Sequence, residues 1–122
     1  MIEIHPLRDK NKLSALYNEC NIEIKDNSIA IVANDGDIII GSCLFDLCED
    51  CVIIHKVNPD NDYLLADGLL RSALHVGVEN GKNSAFYSSA SMDKLFESLK
   101  FIKNKSKREL DVNKLFASCE NC

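Results

Sequence analysis

The chain has 122 residues, a formal net charge of -5 and a pI near 5.1, enough length for one hydrophobic core and too little for two. At 46% hydrophobic and 27% charged residues, its composition is that of a folded globular protein and argues against disordered and fibrous classes. The acidic balance works against nucleic-acid and anionic-membrane partners, which select clustered Lys and Arg; the basic cluster Lys103, Lys105, Lys107 and Arg108 reads as a solvated turn.

Ile2 and Ile4 alternate with Glu3 and His5 as a first strand, and Leu13, Leu16, Tyr17 and Cys20 then recur at the spacing of an amphipathic helix. Two apolar, β-branched runs follow, Ile29 to Ala33 and Ile38 to Phe45. They are joined by Asn34-Asp35-Gly36-Asp37, whose Asp-Gly step can supply the positive φ of a tight hairpin. Cys51 to Val57 is a third run, set off by Cys48-Glu49-Asp50-Cys51, so three antiparallel strands are expected in a meander.

Beyond Pro59 the period changes: Leu65, Leu69, Ala73 and Val76, flanked by Leu70 and Leu74, form a broad helical stripe that stops at Asn80-Gly81. Ser84 to Tyr87 is a short strand. Ser91 is placed to cap a last helix carrying Met92, Leu95, Phe96 and Leu99, and Phe101 to Lys103 and Glu109 to Phe116 are expected as two closing strands. The predicted order is β-α-β-β-β-α-β-α-β-β. The opening residues show no basic segment followed by an apolar run, and no stretch approaches the roughly 20 apolar residues of a membrane span, so a cytoplasmic location is expected.

Six cysteines in such a chain point to metal ligation or redox chemistry more than to structural disulfides. Cys48 and Cys51 form one CxxC pair and Cys119 and Cys122 another. A two-residue spacer lets a turn aim both sulfurs at one point, as tetrahedral zinc requires. Cys20, on the apolar face of the first helix, and Cys43, within a strand, read as small buried hydrophobes.

The element order and several local strings resemble the GNAT family of N-acetyltransferases over essentially the whole chain. These strings are Ile2-Glu3-Ile4-His5-Pro6-Leu7-Arg8 leading into a helix, Val57-Asn58-Pro59 leading from a strand into a helix that ends near Gly81, and Leu95-Phe96-Glu97-Ser98-Leu99-Lys100-Phe101. The last looks like the family's closing helix and L-G-F turn, with Lys100 where glycine is usual. The resemblance implies an α/β fold: a central mixed sheet of six to seven strands flanked by about three helices, as one domain over 1–122 with a cysteine-containing tail over 117–122.

It also implies acetyl-CoA in the gap between splayed fourth and fifth strands, held through Val57 and the backbone of Leu64, Leu65, Ala66 and Asp67. The pyrophosphate would sit at a helix start, where unpaired amides and the helix dipole favour anions. The loop Asn61-Asp62-Tyr63-Leu64-Leu65-Ala66 matches the family's Q/R-x-x-G-x-G/A only at Ala66, and Asp60, Asp62 and Asp67 put carboxylates where phosphates would come. The reaction implied is attack of an amine, on a small molecule or a protein, upon the thioester. His55 is then the expected base and Tyr87 the expected acid, because Phe96 occupies the position of the family's usual tyrosine.

The resemblance further brings the C-terminus to the end of the sheet where the fourth strand begins. A closed structural site for zinc, made by Cys48, Cys51, Cys119 and Cys122, is expected there. Many relatives pair, so a homodimer is expected. The alternative to an acyltransferase is a non-catalytic binding module of the same fold, its helix start capped by its own carboxylates.

Overall fold

The computed structural model describes residues 1–117. The strands are β1 (Ile2–Pro6), β2 (Ser28–Asp35), β3 (Ile38–Leu47), β4 (Cys51–Asn58), β5 (Ser84–Tyr87), β6 (Ile102–Asn104) and β7 (Glu109–Leu110), and the helices α1 (Lys10–Glu19), α2 (Tyr63–Glu79), α3 (Asp93–Ser98) and α4 (Lys114–Ala117). The strands form one mixed sheet in the order β1-β2-β3-β4-β5-β7-β6. β1 to β4 are an antiparallel meander, β4 and β5 are parallel across the α2 crossover, and β7 returns antiparallel to β5.

Local chemistry explains these elements. Asp9 caps α1 by accepting from the amides of Asn11 and Lys12 at 2.9 and 3.2 Å. Asp35 and Ile38 close the β2–β3 hairpin around Gly36-Asp37, with Gly36 at φ +63°. α2 ends in a Schellman motif: Gly81 takes φ +78°, its amide donates to Val78 O, and the Lys82 amide donates to Gly77 O at 2.8 Å.

The sheet is covered unequally. α1 lays Tyr17 on one face against Ala30 and Leu44. α2 buries Ala66, Leu69, Leu70, Ala73, Leu74 and Gly77 on the other, against Ile31, Cys43, Phe45, Val52 and Ile54. Gly77 is required there, since a Cβ on it would come within 2.5 Å of Val52 Cγ2. Cys43 is fully buried in this core and Cys20 packs beside Tyr17, as expected of small apolar groups.

Two expectations are corrected. The last strand is Glu109–Leu110, not Glu109 to Phe116. Asp111 ends it by turning the chain: its carboxylate accepts from the Asn113 amide at 3.1 Å and its carbonyl from the Lys114 amide at 3.1 Å, a local alternative to ladder bonds that Asp favours. α4 follows, with Leu115 buried and Phe116 edge-on to His75. Ser91 does not cap the third helix, whose N-cap is Met92 without a side-chain bond; Ser89 accepts from the Ser91 amide at 3.2 Å and caps a 3-10 turn over Ala90–Met92 that leads into it.

Candidate functional site

β4 has eight residues and β5 four. They pair in parallel only from Cys51↔Ser84 to Ile54↔Tyr87, and the Ser88 amide makes a further bond to Ile54 O at 3.0 Å. Beyond it the strands part, and Lys56, Val57 and Asn58 are paired only with β3. The β3–β4 register shifts so that Phe45 opposes Ile54 and Leu44 opposes Lys56. His55 is the extra residue of that bulge, the device that re-aims a side chain out of a regular strand.

The His55 ring lies between two oxygens: Nε2 is 2.9 Å from Asp46 Oδ2 and Nδ1 is 3.1 Å from Ser88 Oγ. Asp46 is 3% exposed. Its other oxygen accepts from Ser28 Oγ at 2.8 Å, and Lys25 Nζ lies 3.9 Å from Oδ2. A carboxylate has no proton to give, so Asp46 accepts from Nε2–H and leaves the Nδ1 lone pair toward the Ser88 hydroxyl. The Tyr17 hydroxyl lies 2.7 Å from Ile29 O and 3.0 Å from Phe45 O. Burial, and after it the charge of Asp46, push this phenol far above the ordinary tyrosine value. Asp46 and Ser88 were missed in reading the sequence. A lone carboxylate inside the apolar run Leu44-Phe45-Asp46-Leu47 was the available signal, because a buried charge needs partners.

Tyr87 pairs with Ile54 next to His55, but its ring points to the α2 face, where it meets Phe96 edge-on at 4.9 Å. Its hydroxyl donates to the Asp93 carboxylate. Burial first, and then that bond, leave the phenol pushed up to about 12. The expected base and acid therefore lie beside the same parting on opposite faces of the sheet, and the phenol's proton is already engaged.

The residues expected to hold acetyl-CoA gather at the start of α2. Val57 is buried on the half of β4 that pairs with β3 alone. Asp62 caps the helix: its carboxylate accepts from the Leu65 amide at 3.2 Å and its carbonyl from the Ala66 amide at 2.9 Å. Leu64 is 86% exposed, and Asp67 forms an ion pair with Arg71 Nε at 2.8 Å. A helix end already capped by a carboxylate, with Asp60 two residues before it, repels a diphosphate. The residues present do not fit the diphosphate of CoA.

On the α1 face a cleft of about 870 Å³ runs from β1 to the open end of β4, lined among others by Glu3, Lys12, Glu19, Asp37, Ser42 and Asn58. Carboxylates outnumber cations along it.

Cys48 and Cys51 flank the β3–β4 turn at the opposite end of β4, where the Cys48 amide donates to Cys51 O at 2.8 Å. Burial, and next the neighbouring Cys48, raise the Cys51 thiol above the ordinary cysteine range. Cys119 and Cys122 lie outside the described residues, and among the described residues no group of three or more His, Cys, Asp or Glu could hold a metal ion.

A mixed sheet whose two central parallel strands part beyond a bulge, with a helix starting opposite the opening, is the fold of the GNAT acetyltransferases. Solved structures bear this out. The chain superposes on an aminoglycoside acetyltransferase from an uncultured soil metagenomic sample with a TM-score of 0.61 at 16% identity, over 84% of this chain and 88% of that one. For the ribosomal-protein-S18-alanine N-acetyltransferase of Escherichia coli the TM-score is 0.59 at 16% identity, over 89% and 88%. For a GNAT-family acetyltransferase of Staphylococcus aureus it is 0.57 at 16%, over 83% and 84%. No protein-family model and no curated protein sequence matches the chain. Among the described residues no helix is long and apolar enough to cross a membrane.

Proposed function

We propose that this chain transfers an acyl group from a thioester to an amine at the parting of β4 and β5, with His55 taking the amine's proton. The observation that carries this reading is His55 itself: a bulge sets it at the parting, and a buried carboxylate holds its Nε2 so that Nδ1 is the accepting nitrogen. A base so placed contributes about 10²–10⁴ in rate. Tyr87 positions the end of β5 through Asp93 and Phe96 rather than serving as the acid, since a phenol pushed up to about 12 is a poor donor to a departing thiolate. The carboxylates of the α1-face cleft suit a cationic acceptor, either a small polyamine or a protein amine. Two of the structural neighbours act, by their names, on aminoglycosides and on a ribosomal-protein alanine, which agrees with an amine acceptor.

The test is thiol release from S-acetyl-N-acetylcysteamine, a thioester without phosphates, in the presence of spermidine. Amine-dependent release should fall about 100-fold or more in His55→Ala. Release that is equal in His55→Ala would remove the histidine from the mechanism.

A second reading makes Cys48 and Cys51 half of a structural zinc site completed by Cys119 and Cys122. It is favoured by the course of the chain: β7 runs antiparallel to β5, toward the end where Cys51 pairs with Ser84, and α4 then advances along α2 from Arg71 toward His75. Metal analysis should find one zinc per chain, lost in Cys48→Ser/Cys51→Ser; a metal-free, equally stable wild type rejects the site.

A further inference from the structure

Asp46, His55 and Ser88 come from β3, β4 and the residue after β5, and they form a graded line: the carboxylate is buried, the imidazole is 17% exposed at its side chain, and the serine is exposed. Each link is within hydrogen-bonding distance, 2.9 Å from Asp46 to His55 and 3.1 Å from His55 to Ser88. A hydroxyl held to an imidazole whose other nitrogen is oriented by a buried carboxylate is the arrangement that activates serine as a nucleophile. Ser88 is also fixed in place, because its amide donates to Ile54 O at 3.0 Å and its carbonyl accepts from Arg108 Nη1 at 3.1 Å. The pinned backbone leaves Oγ beside the point where β4 and β5 stop pairing.

We propose that Ser88 is an acyl-accepting nucleophile activated by His55 and positioned by way of Asp46, so that the chain can carry an acyl group as a serine ester and release it to water as well as to an amine. Ser88 Oγ attacks the carbonyl carbon of a thioester or aryl ester, and its proton passes to His55 Nδ1. The C–S or C–O bond breaks, and the departing thiolate or phenolate takes that proton. An amine or water then attacks the serine ester, gives its proton to Nδ1, and the proton returns to Oγ as the amide or acid leaves. No oxidant or reductant enters. Asp46 touches no reacting atom; it is a positioning residue that keeps the Nδ1 lone pair toward Ser88.

This inference rests on the parting and His55 of the acyltransferase reading, so its first assays omit the acceptor amine and amine acylation is then measured separately. The full chain is treated with p-nitrophenyl acetate and, separately, with an alkyl fluorophosphonate, and adducts are located by peptide mass analysis. The expected result is p-nitrophenolate release with the phosphonate on Ser88, and loss of both by about 100-fold or more in Ser88→Ala and His55→Ala. Ser88 is exposed, so Ser88→Ala is expected to melt like wild type. An unlabelled Ser88 in protein shown to be folded overturns the inference, as does equal release in Ser88→Ala. If amine acylation survives in Ser88→Ala, transfer is direct: the acyltransferase reading stands and this inference falls. If Ser88 is labelled and turned over while no amine is acylated, the reverse holds.

Discussion

Replacing Asp46 by Asn separates what this carboxylate does for the fold from what it does for the site. Asp46 is 3% exposed and accepts from Ser28 Oγ at 2.8 Å and from His55 Nε2 at 2.9 Å. Asn has the same shape but only one accepting oxygen, so one of the two donors meets an NH₂ group instead. Ser28 Oγ accepts from the Lys25 amide at 2.8 Å and keeps its own hydroxyl proton on the Asn oxygen, so the NH₂ group faces His55 Nε2. The net loss is therefore about one charge-assisted hydrogen bond, roughly 1.5–3 kcal/mol, or on the order of 5–10 °C in Tm for a domain of this size.

The chemical effect is larger. An Asn Nδ2 facing Nε2 reverses the tautomer, so Nδ1 carries the proton and cannot accept one; in the Ser-His-Asp template this swap costs on the order of 10⁴ in kcat. Thermal melts together with acyl-transfer rates on the refolded variant measure both. A variant that melts a few degrees lower yet turns over at the wild-type rate would refute the tautomer argument, whatever the stability change.

Lys100 adopts φ +61° after α3, with the Phe101 amide donating to Phe96 O and the Lys100 amide to Glu97 O, both at 3.0 Å. This is the C-terminal cap position glycine favours, and a side chain there costs about 1–2 kcal/mol. Glycine's extra freedom in the unfolded chain returns part of that, so Lys100→Gly should raise stability by about 1 kcal/mol in urea unfolding. A second prediction concerns alkaline pH. The Tyr87 phenol is raised from 10.0 to about 12 in the folded protein, so its contribution to stability is fully present below about pH 10 and is lost as pH rises through about 12. Tyr87→Phe should remove part of this alkaline loss, read by circular dichroism against phenolate absorbance; an unchanged profile would show that Tyr87 does not contribute.

Much of the architecture could be read from the residues because it depends on local periodicity and local turns. The 3.6-residue stripe of Leu65, Leu69, Ala73 and Val76, the Asp35-Gly36 turn and the Asn80-Gly81 stop are all found where expected. Glu109 to Phe116 misled because Val112, Leu115 and Phe116 look apolar enough for a strand, while Asp111 and its Asn113 partner decide otherwise over three residues. The site was half legible. His55 stands out as a titratable group on an apolar strand. Its partners do not, because Asp46 reaches it through an antiparallel register interrupted by a bulge and Ser88 through a parallel pairing formed across the α2 crossover. Such relations exist only once the sheet is assembled. The altered helix start was legible as chemistry, and in the structure the Asp62 carboxylate holds the Leu65 amide, as the non-catalytic alternative also expects.

The most direct test of the account compares kcat/KM for acetyl-CoA with that for S-acetyl-N-acetylcysteamine, using the same amine. If the parting and His55 do the chemistry while the Asp62-capped helix end holds no diphosphate, the two donors should agree within a few-fold. Even two charge-assisted contacts to the diphosphate, at about 1.5–3 kcal/mol each, would favour acetyl-CoA by more than about 100-fold; a preference of that size would contradict the account, and transfer from neither donor would contradict the activity itself.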